Sequence, residues 1–380
     1  MSISFHIDKE GFRYPHVNKA TCIDCHLCET VCPVRNHKTE GLPLKTFAAI
    51  NYNVSIRTIS SSGGLFFLFA SKIIEQGGVV FGARFNESWD VVIDYTDSIE
   101  GIYPFMGSKY VQADPRDSYS KAKQFLEAKR LVLFTGTPCQ IAGLQSFLKT
   151  KYDNLILMDI ICHGVPSPSF WQKYLQEIKH NSNQELVHIG FRSKIEGWKR
   201  YNVMFQFADK TVYHKPFTED LFMKLFLRNY ILRPSCYHCP AKMGKSGSDV
   251  TIGDFWGIDD YMPAIDGDLG VSALLLNTEK GIKLAEGIHA VLIECLYENV
   301  LKGNPCLCYS CKVPAKRDIV FRYRDKSIGQ IFEILDGGTL SDRVYAKTTH
   351  LIKSILSMLG IESIARLCWR KIKKSQSPPE

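Results

Sequence analysis

The sequence predicts an α/β fold, with a mixed sheet that contains β-α-β units, preceded by a small cysteine-rich module of the ferredoxin type. Four cysteines lie close together between Cys22 and Cys32. From about residue 55 onward, apolar segments of strand length alternate with segments of helical periodicity, which is the pattern of a sheet covered by helices. The 380 residues are 45% hydrophobic, which is enough to bury a large core.

Composition and charge exclude several classes of protein. Thirteen cysteines would suggest disulfides in a small secreted protein, but the first residues lack the basic and apolar segments of a signal peptide, so reduced thiols and a cytoplasmic location are expected. No apolar stretch approaches the roughly 20 residues that cross a bilayer. The net charge of +8 is concentrated in residues 341–380, with eight Lys and Arg against three acidic residues, so no nucleic-acid partner is predicted.

Three domains are predicted along the chain. Residues 1–45 form a ferredoxin-type iron–sulfur module, which is short and depends on its cofactor for stability. Residues 46–335 form a central α/β domain. Residues 336–380 form a basic amphipathic C-terminal helix and tail, for which two interpretations stay open: docking on an anionic inner-membrane surface or a partner, or packing on the domain with a solvated basic end.

The central domain is expected to begin with a helix that Ser60–Gly64 open, followed by a strand at Val79–Phe85. A strand at Leu131–Phe134, a helix from Cys139 and a strand at Leu155–Ile161 predict a right-handed β-α-β unit with parallel strands. Antiparallel strands are expected after them. The other predicted elements are a helix at 119–129, a hairpin of Leu186–Phe191 with Tyr201–Phe207, a helix near 217–229, strands at Val250–Ile252 and Ser272–Asn277, and a helix from about Glu279.

The N-terminal cysteines have the spacing C-x2-C-x2-C-x3-C-P, which lets one tight loop wrap thiolates around a [4Fe-4S] cubane. Zinc sites more often use two separated C-x2-C pairs, so the strict spacing favours iron–sulfur. In two-cluster ferredoxins the fourth cysteine of each run binds the other cluster. Cys32 therefore either completes this site or leaves the fourth position to another ligand. The predicted ligands are Cys22, Cys25, Cys28 and Cys32.

A second group of cysteines is predicted at the carboxyl edge of the sheet. Cys139 and Cys162 each follow a strand of the β-α-β unit, and neighbouring strands lie only about 4.8 Å apart. Cys236 and Cys239 form a C-x2-C pair that a loop could add, which would make four thiolates for a second cubane. Lone buried cysteines and a thiol-redox pair are the alternatives. Cys306, Cys308 and Cys311 form a further close group, for which a metal-ligand role and a structural role stay equally open.

Glycines and serines before an apolar helix suggest a phosphate site. Ser60–Gly64 offers backbone N–H groups at a helix N-terminus, which suits a nucleotide pyrophosphate, although a glycine-containing helix cap without a ligand fits the same pattern.

With these segments taken together, the chain resembles the coenzyme F-420 hydrogenase/dehydrogenase beta subunit family. The resemblance rests on seven motifs that follow one another along about 200 residues, after a ferredoxin run. They are SSSGG at 60–64, GSKYVQAD at 107–114, TGTPCQIAGL at 135–144, ICHGVPSP at 161–168, GFRSK followed by GW at 190–198, CYHCP at 236–240 and DVTIGDFWG at 249–257.

The resemblance implies an iron–sulfur flavoprotein oxidoreductase that passes electrons between FAD and [4Fe-4S] clusters. It implies that the domain of residues 46–335 binds the flavin and a cluster, with Cys139, Cys162, Cys236 and Cys239 as cluster ligands. It also implies a redox partner protein, such as a ferredoxin or complex subunits, or a small-molecule donor. The family name implies coenzyme F-420 as hydride partner, but similar bacterial chains resemble polysaccharide-cluster oxidoreductases, for which that coenzyme is doubtful. The flavin environment is assigned to Ser62, Gly63, Gly64, Lys109, Tyr110 and Gln112.

Overall fold

The computed structural model of the chain describes residues 2–35, 39–180, 182, 184–263, 265 and 267–337. The strands are β1 Ile3–Ile7, β2 Arg13–Val17, β3 Lys45–Asn51, β4 Val79–Phe85, β5 Val91–Thr96, β6 Val132–Gly136, β7 Leu155–Ile160, β8 Leu186–Ser193, β9 Asn202–Phe207, β10 Val212–Pro216, β11 Val250–Asp254, β12 Ser272–Leu276 and β13 Ala290–Glu294. The helices are α1 Leu27–Thr30, α2 Val54–Ile59, α3 Leu65–Glu75, α4 Ser118–Glu127, α5 Pro138–Leu148, α6 Pro168–His180, α7 Leu221–Leu227, α8 Glu279–Ala285, α9 Tyr297–Gly303, α10 Arg317–Arg322 and α11 Ile328–Leu335. Short 3-10 helices lie at Glu100–Phe105, Pro234–His238, Ile258–Asp260 and Pro305–Leu307.

The chain divides into two compact units, residues 1–322 and residues 323–380. In the second unit the description ends at residue 337, and a capping box between Ser327 and Gln330 begins α11. The C-terminal amphipathic helix predicted within residues 336–380 lies almost entirely outside the described residues, as does Cys368. No helix of the described residues has the length and apolar character needed to cross a membrane.

An eight-stranded mixed sheet, in the order β13-β3-β12-β11-β7-β6-β4-β5, forms the centre of the first unit. Strands β4, β6, β7 and β11 are mutually parallel, while β12, β3, β13 and β5 pair antiparallel with their neighbours. The predicted α/β fold with mixed pairing is therefore confirmed. The parallel β6–β7 pair, connected through α5, is the β-α-β unit that the sequence predicts.

Both faces of the parallel strands are buried because alternate side chains point to opposite sides. On one face, Leu133 and Ile156 pack with α3 and α8. On the other face, Phe134 and Leu157 pack with α4 and α5. Continuous apolar segments in the sequence, rather than alternating ones, thus mark these strands. The helices hold the sheet rigid, so the loops that follow β6, β7 and β11 have fixed starting points.

Two smaller sheets flank this core. The predicted hairpin at 186–207 is present as β8 and β9, and β10 adds a third antiparallel strand. Its packing is aromatic: the Trp171 ring of α6 lies 5.0 Å from the Phe191 ring of β8 and 5.5 Å from the Phe222 ring of α7. Near the N-terminus, β1 and β2 form an exposed two-stranded hairpin.

Candidate metal centre

The carboxyl ends of β6 and β7 carry the first two cysteines of the centre. Cys139 lies in the first turn of α5, which begins with a capping box between Thr137 and Gln140 and with Pro138 at its first position. The Thr137 hydroxyl lies 3.2 Å from the Cys139 sulfur. Cys162 follows β7 after one further residue, and Gly136 of β6 pairs with Asp159 of β7. Adjacent parallel strands therefore bring both cysteines to one edge of the sheet.

The Pro234–His238 turn brings the C-x2-C pair to the same edge. Cys236 N donates to Arg233 O at 2.8 Å, which closes this 3-10 turn, and Val165 N donates to the Cys236 sulfur at 3.5 Å. Val165 belongs to the loop that leaves β7, so the C-x2-C turn lies against the segment that carries Cys162. Cys239 N donates to Ser310 Oγ at 3.0 Å, which positions the second cysteine of the pair.

The four thiols interact electrostatically. Burial raises the pKa of Cys162 well above its usual value, and charges on Cys139, Cys236 and Cys239 raise it further. Burial raises the pKa of Cys236 to about 12, again with contributions from Cys139 and Cys239. Cys139 retains solvent access, yet the protein around it also raises its pKa. Because thiolates repel one another when they lie close together, a cationic group would be needed to hold all four as thiolates.

The donor set fits an iron–sulfur cluster by its chemistry. Among the residues that the structure describes, no three His, Cys, Asp or Glu side chains are already arranged around one metal-ion position. In a cubane, however, each thiolate binds a different iron atom, so the sulfurs surround the cluster instead of converging on one ion. Cys139, Cys162, Cys236 and Cys239 are the residues that would hold such a cluster.

The N-terminal run lies in one short segment. Cys22, Cys25 and Cys28 are exposed and Cys32 is partly buried, and α1 begins directly before Cys28. Asp24 and His26 both have φ of 55°, a left-handed conformation that turns the chain sharply between successive cysteines. The loop therefore has the tight curvature that the C-x2-C-x2-C spacing predicts, and its cluster remains a prediction.

Two arginines fasten the hairpin of the N-terminal module beside the central cysteines. Arg233, three residues before Cys236, donates to Arg13 O at 2.9 Å, and its guanidinium lies 4.2 Å from the centre of the Tyr14 ring. Arg317 forms an ion pair with Glu10, and the two side chains are 8% and 13% exposed. The connection between β1 and β2 is thus fixed at the edge of the sheet that carries the cysteines.

The cysteine-rich loop that the sequence left open adjoins the centre. The Cys311 sulfur donates to His163 O at 3.0 Å, and the Cys311 pKa is raised by burial and, further, by charges on Cys306 and Cys239. Lys242 Nζ donates to the carbonyl oxygens of Cys162 and Cys306, both at 2.6 Å. Sequence reasoning missed Lys242 and the position of this loop. The close spacing of Cys306, Cys308 and Cys311 was the available signal, but it carried no information about their location.

Several of the residues predicted around a flavin are bonded within the protein. Gly63 N donates to Ser272 Oγ at 2.9 Å, and Ser62 Oγ donates to Val271 O at 2.8 Å. A Cβ atom at Gly63 would lie 2.4 Å from the carbonyl oxygen of Ala49, so this glycine allows close packing on β3 and β12. Gly64 adopts the left-handed conformation with φ of 85° at the start of α3. The Gly63 N–H is therefore not presented to a phosphate in this structure.

The other flavin candidates lie along the loop after the Glu100–Phe105 turn. Lys109 Nζ donates to the carbonyl oxygens of Pro104 and Met106, and burial lowers the Lys109 pKa to about 7. Tyr110 OH accepts a hydrogen bond from Arg192 at 3.1 Å. Gln112 Oε1 and Arg192 Nε are buried and have no hydrogen-bond partner among the described residues. Such atoms are unusual in proteins, and a bound donor and acceptor would satisfy them.

A small cavity lies beside Cys162, which is one of its lining residues. Its volume is about 40 Å³, and Asp159, Lys242, Thr251 and Cys306 are among its lining residues. Asp159 is 3% exposed and its carboxylate accepts a hydrogen bond from the Thr251 hydroxyl at 2.5 Å. Burial raises the pKa of Asp159 to about 6.

Replacement of Asp159 by Asn is expected to weaken the pH dependence of stability between about pH 4 and pH 6. The folded-state pKa lies above the roughly 3.9 of an unfolded Asp, so the folded protein binds more protons in this range and loses stability as the pH rises. An amide stays neutral and avoids this loss, which amounts to about 1.4 kcal/mol for each unit of pKa difference. Urea denaturation of the iron-free protein at several pH values measures how the free energy of unfolding depends on pH.

The control for this experiment is Asp153→Asn, which changes an exposed carboxyl near the start of β7. The control should keep the pH slope of the wild-type protein. Identical slopes for wild-type protein and Asp159→Asn would contradict the raised pKa.

Together, the mixed sheet and the four thiols at one edge of it define an α/β protein with a thiol-rich site. Residues 129–295 match the family described as the C terminus of the beta subunit of coenzyme F420 hydrogenase/dehydrogenase. This segment extends from just before β6 to just after β13 and includes all four cysteines. The resemblance inferred from the sequence motifs is thereby confirmed for these residues.

Two further comparisons were made. No curated protein sequence is significantly similar to the chain. Among solved structures, the chain is similar to one chain of the F420-reducing [NiFe] hydrogenase complex from Methanosarcina barkeri, at 14% sequence identity and a TM-score of 0.46. That similarity covers 80% of this chain and 95% of the other chain.

Proposed function

We propose that this protein is an iron–sulfur oxidoreductase that exchanges electrons between a two-electron donor and one-electron carriers. The observation that carries the proposal is the proximity of Cys139, Cys162, Cys236 and Cys239. Val165 N, in the segment that carries Cys162, donates to the Cys236 sulfur, and charges on Cys139 and Cys239 add to the effect of burial in raising the pKa values of Cys162 and Cys236. Four thiolates are the usual ligands of a [4Fe-4S] cluster, which transfers single electrons. The match of residues 129–295 to a hydrogenase/dehydrogenase subunit family supports a redox role.

In this proposal the N-terminal module carries a second cluster and acts as the outer relay. Cys22, Cys25, Cys28 and Cys32 would hold it. The contacts of Arg233 with Tyr14 and of Arg317 with Glu10 support the idea, because they hold the hairpin of that module close to the central cysteines. Exposure of Cys22, Cys25 and Cys28 would leave the outer cluster accessible to a redox partner protein.

FAD is proposed as the two-electron cofactor. This part of the proposal rests on the sequence resemblance and on the buried, unpartnered atoms Gln112 Oε1 and Arg192 Nε. A bound flavin would supply the two-electron chemistry, while Tyr110 and Arg192 would orient it. The bonded N–H of Gly63 gives no support to a phosphate contact there. Coenzyme F-420 as hydride partner, and action in bacterial polysaccharide metabolism, stay predictions of the resemblance.

Anaerobic reconstitution with iron and sulfide tests the proposal. We expect broad iron–sulfur absorption bands, acid-labile sulfide in a one-to-one ratio with iron, and a paramagnetic signal after reduction. A colourless protein that binds stoichiometric zinc instead would refute the iron–sulfur assignment. The same samples, analysed for released flavin, test the FAD component independently.

The alternative function is that of a non-enzymatic electron-transfer subunit within a larger redox complex. It shares the cysteine sites and differs in having no bound flavin and no substrate reaction. The matched family is named after one subunit of a larger enzyme, which motivates this alternative for the present chain. Reduction of an artificial dye by a small-molecule donor, together with bound flavin, would favour the enzyme. Clusters that are redox-active without either would favour the subunit.

A further inference from the structure

Lys242 is a buried cation at the centre of the thiol groups. It lies three residues after Cys239, and its side chain is nearly inaccessible, with 8% of the residue exposed. Nζ donates to the carbonyl oxygen of Cys162, which follows β7, and to that of Cys306 in the cysteine-rich loop, both at 2.6 Å. The ammonium group therefore connects the two thiol-bearing segments from the inside.

The ammonium of Lys242 lies close to residues of both thiol groups. It bonds the backbone of Cys162 in the proposed cluster site and that of Cys306 in the loop, and both cysteines line the same cavity as Lys242.

Lys242 forms no ion pair with a carboxylate among the residues that the structure describes. Asp159 lines the same cavity, but its carboxylate accepts hydrogen bonds from the neighbouring hydroxyl groups, including that of Thr251. The other ionisable side chains near Lys242 among the described residues are the thiols, His163 and Tyr297, none of which is a carboxylate. A buried ammonium without an anion is strongly unfavourable, so buried charges are normally paired or bind metals.

We infer that Lys242 is the counter-charge of the cluster held by Cys139, Cys162, Cys236 and Cys239, and that its ammonium sets the reduction potential of that cluster. The inference rests on the proposed function. A cubane with four thiolate ligands carries net negative charge, and reduction adds one more electron to it. A fixed positive charge stabilises the reduced form more than the oxidised form, so the potential rises. Lys242 is in this sense a positioning and tuning residue and not a cluster ligand.

The test compares three variants, reconstituted anaerobically as full chains. Lys242→Met removes the charge but keeps an unbranched side chain, and Lys242→Arg keeps the charge. Lys280→Met is the matched control, because Lys280 Nζ also donates to two carbonyl oxygens, those of Tyr152 and Leu155. Leu155 starts β7, roughly 20 Å along the strand from Cys162, so this lysine lies too far away to affect the cluster strongly.

The readout is the midpoint potential of the central cluster, measured by redox titration monitored by electron paramagnetic resonance. To isolate its signal, all proteins carry Cys22→Ala and Cys25→Ala. We expect Lys242→Met to lower the equilibrium constant for one-electron reduction at least ten-fold, a shift of about 59 mV to more negative potential. Lys242→Arg and Lys280→Met should stay within three-fold of the parent protein.

Every outcome bears on the inference. An unchanged potential in Lys242→Met with full iron content would overturn the inference. A loss of iron in both Lys242→Met and Lys242→Arg would also overturn it, because the cluster would then depend on the particular hydrogen bonds of lysine and not on its charge. Loss of iron in Lys242→Met alone, with circular dichroism like that of the parent, would support it, because the uncompensated cluster then fails to bind. Failure of the parent to bind iron would refute the proposed function instead.

Discussion

Simultaneous replacement of Cys236 and Cys239 by alanine is expected to remove the central cluster completely. The two residues supply half of its proposed ligands, and a cubane left with Cys139 and Cys162 would have two unprotected iron atoms. The iron content of the reconstituted protein should fall by about four atoms per chain, which is the content of one cubane. Iron and sulfide assays combined with electron paramagnetic resonance of the reduced protein would measure the loss.

The fold should survive this change. Both cysteines lie in or directly after the short 3-10 turn Pro234–His238, outside the sheet and the α-helices, so alanine removes a sulfur from a partly buried position without disturbing the core. Urea denaturation of the iron-free variant should therefore stay within about 1 kcal/mol of the iron-free wild-type protein. This comparison separates a loss of ligands from a loss of folding.

The matched control is Cys295→Ala. Cys295 is also partly buried, and burial raises its pKa to about 11, with the neighbouring Glu294 as the charged contributor and no thiol among the causes. This variant should retain all of its iron. Full iron in the Cys236→Ala/Cys239→Ala protein, or equal losses in both proteins, would show that the central thiols do not hold the cluster.

Replacement of Arg192 by methionine is expected to cause the largest loss of stability among single changes near the centre. The Arg192 side chain is 3% exposed and forms two hydrogen bonds with the Asp254 carboxylate, at 2.7 and 2.9 Å. Its guanidinium also lies 4.0 Å from the centre of the Tyr201 ring. Removing one partner of a buried ion pair leaves an uncompensated charge, which costs about 3–5 kcal/mol.

The Arg192–Asp254 pair lies between two sheets. Arg192 belongs to β8 of the three-stranded sheet, whereas Asp254 ends β11 of the central sheet and also accepts a hydrogen bond from Trp198 Nε1 at 2.7 Å. The pair therefore joins the two sheets beside Tyr110. We expect the variant to lose affinity for any flavin that binds there, in addition to its loss of stability.

Urea denaturation of iron-free protein measures the free energy of unfolding, with Arg84→Met as the control. Arg84 also pairs with an aspartate, Asp94, but both side chains are more than a quarter exposed, so about 1 kcal/mol or less is expected. Arg192→Lys should fall between the two, because lysine keeps the charge but not the two parallel hydrogen bonds. Equal costs for Arg192→Met and Arg84→Met would contradict the role assigned to the pair.

The sequence predicted the parts of the centre that neighbouring segments determine. Cys139 and Cys162 were placed at one sheet edge because a strand–helix–strand segment has one common handedness and its parallel strands end at the same side. The apolar segments at 131–134 and 155–161 predict strands because each is a continuous apolar run of strand length. By contrast, β3 and the two edge strands, β13 and β5, were missed, because their short, mixed patterns do not differ from those of loops.

Gly63 illustrates where a local pattern is ambiguous. Its position before an apolar helix predicted a phosphate contact, and the same glycine in the structure allows the chain to pass close to the carbonyl oxygen of Ala49 and to bond Ser272. Ala49 and Ser272 belong to paired strands that are more than two hundred residues apart in sequence. A local motif holds no information about such partners, so the two roles of the glycine could not be separated from sequence.

The sequence by itself determined the class of this protein, which is an α/β chain with two sets of cysteines. The spacing of these cysteines along the chain suits iron–sulfur chemistry. Only the tertiary structure decided that Cys236, Cys239 and the loop with Cys306 meet at the ends of β6 and β7, and that Lys242 is buried among them. Spacing and periodicity report on neighbours along the chain, whereas proximity across long separations depends on how the sheets pack. Lysine is usually exposed in folded proteins, so the burial of Lys242 results from that packing.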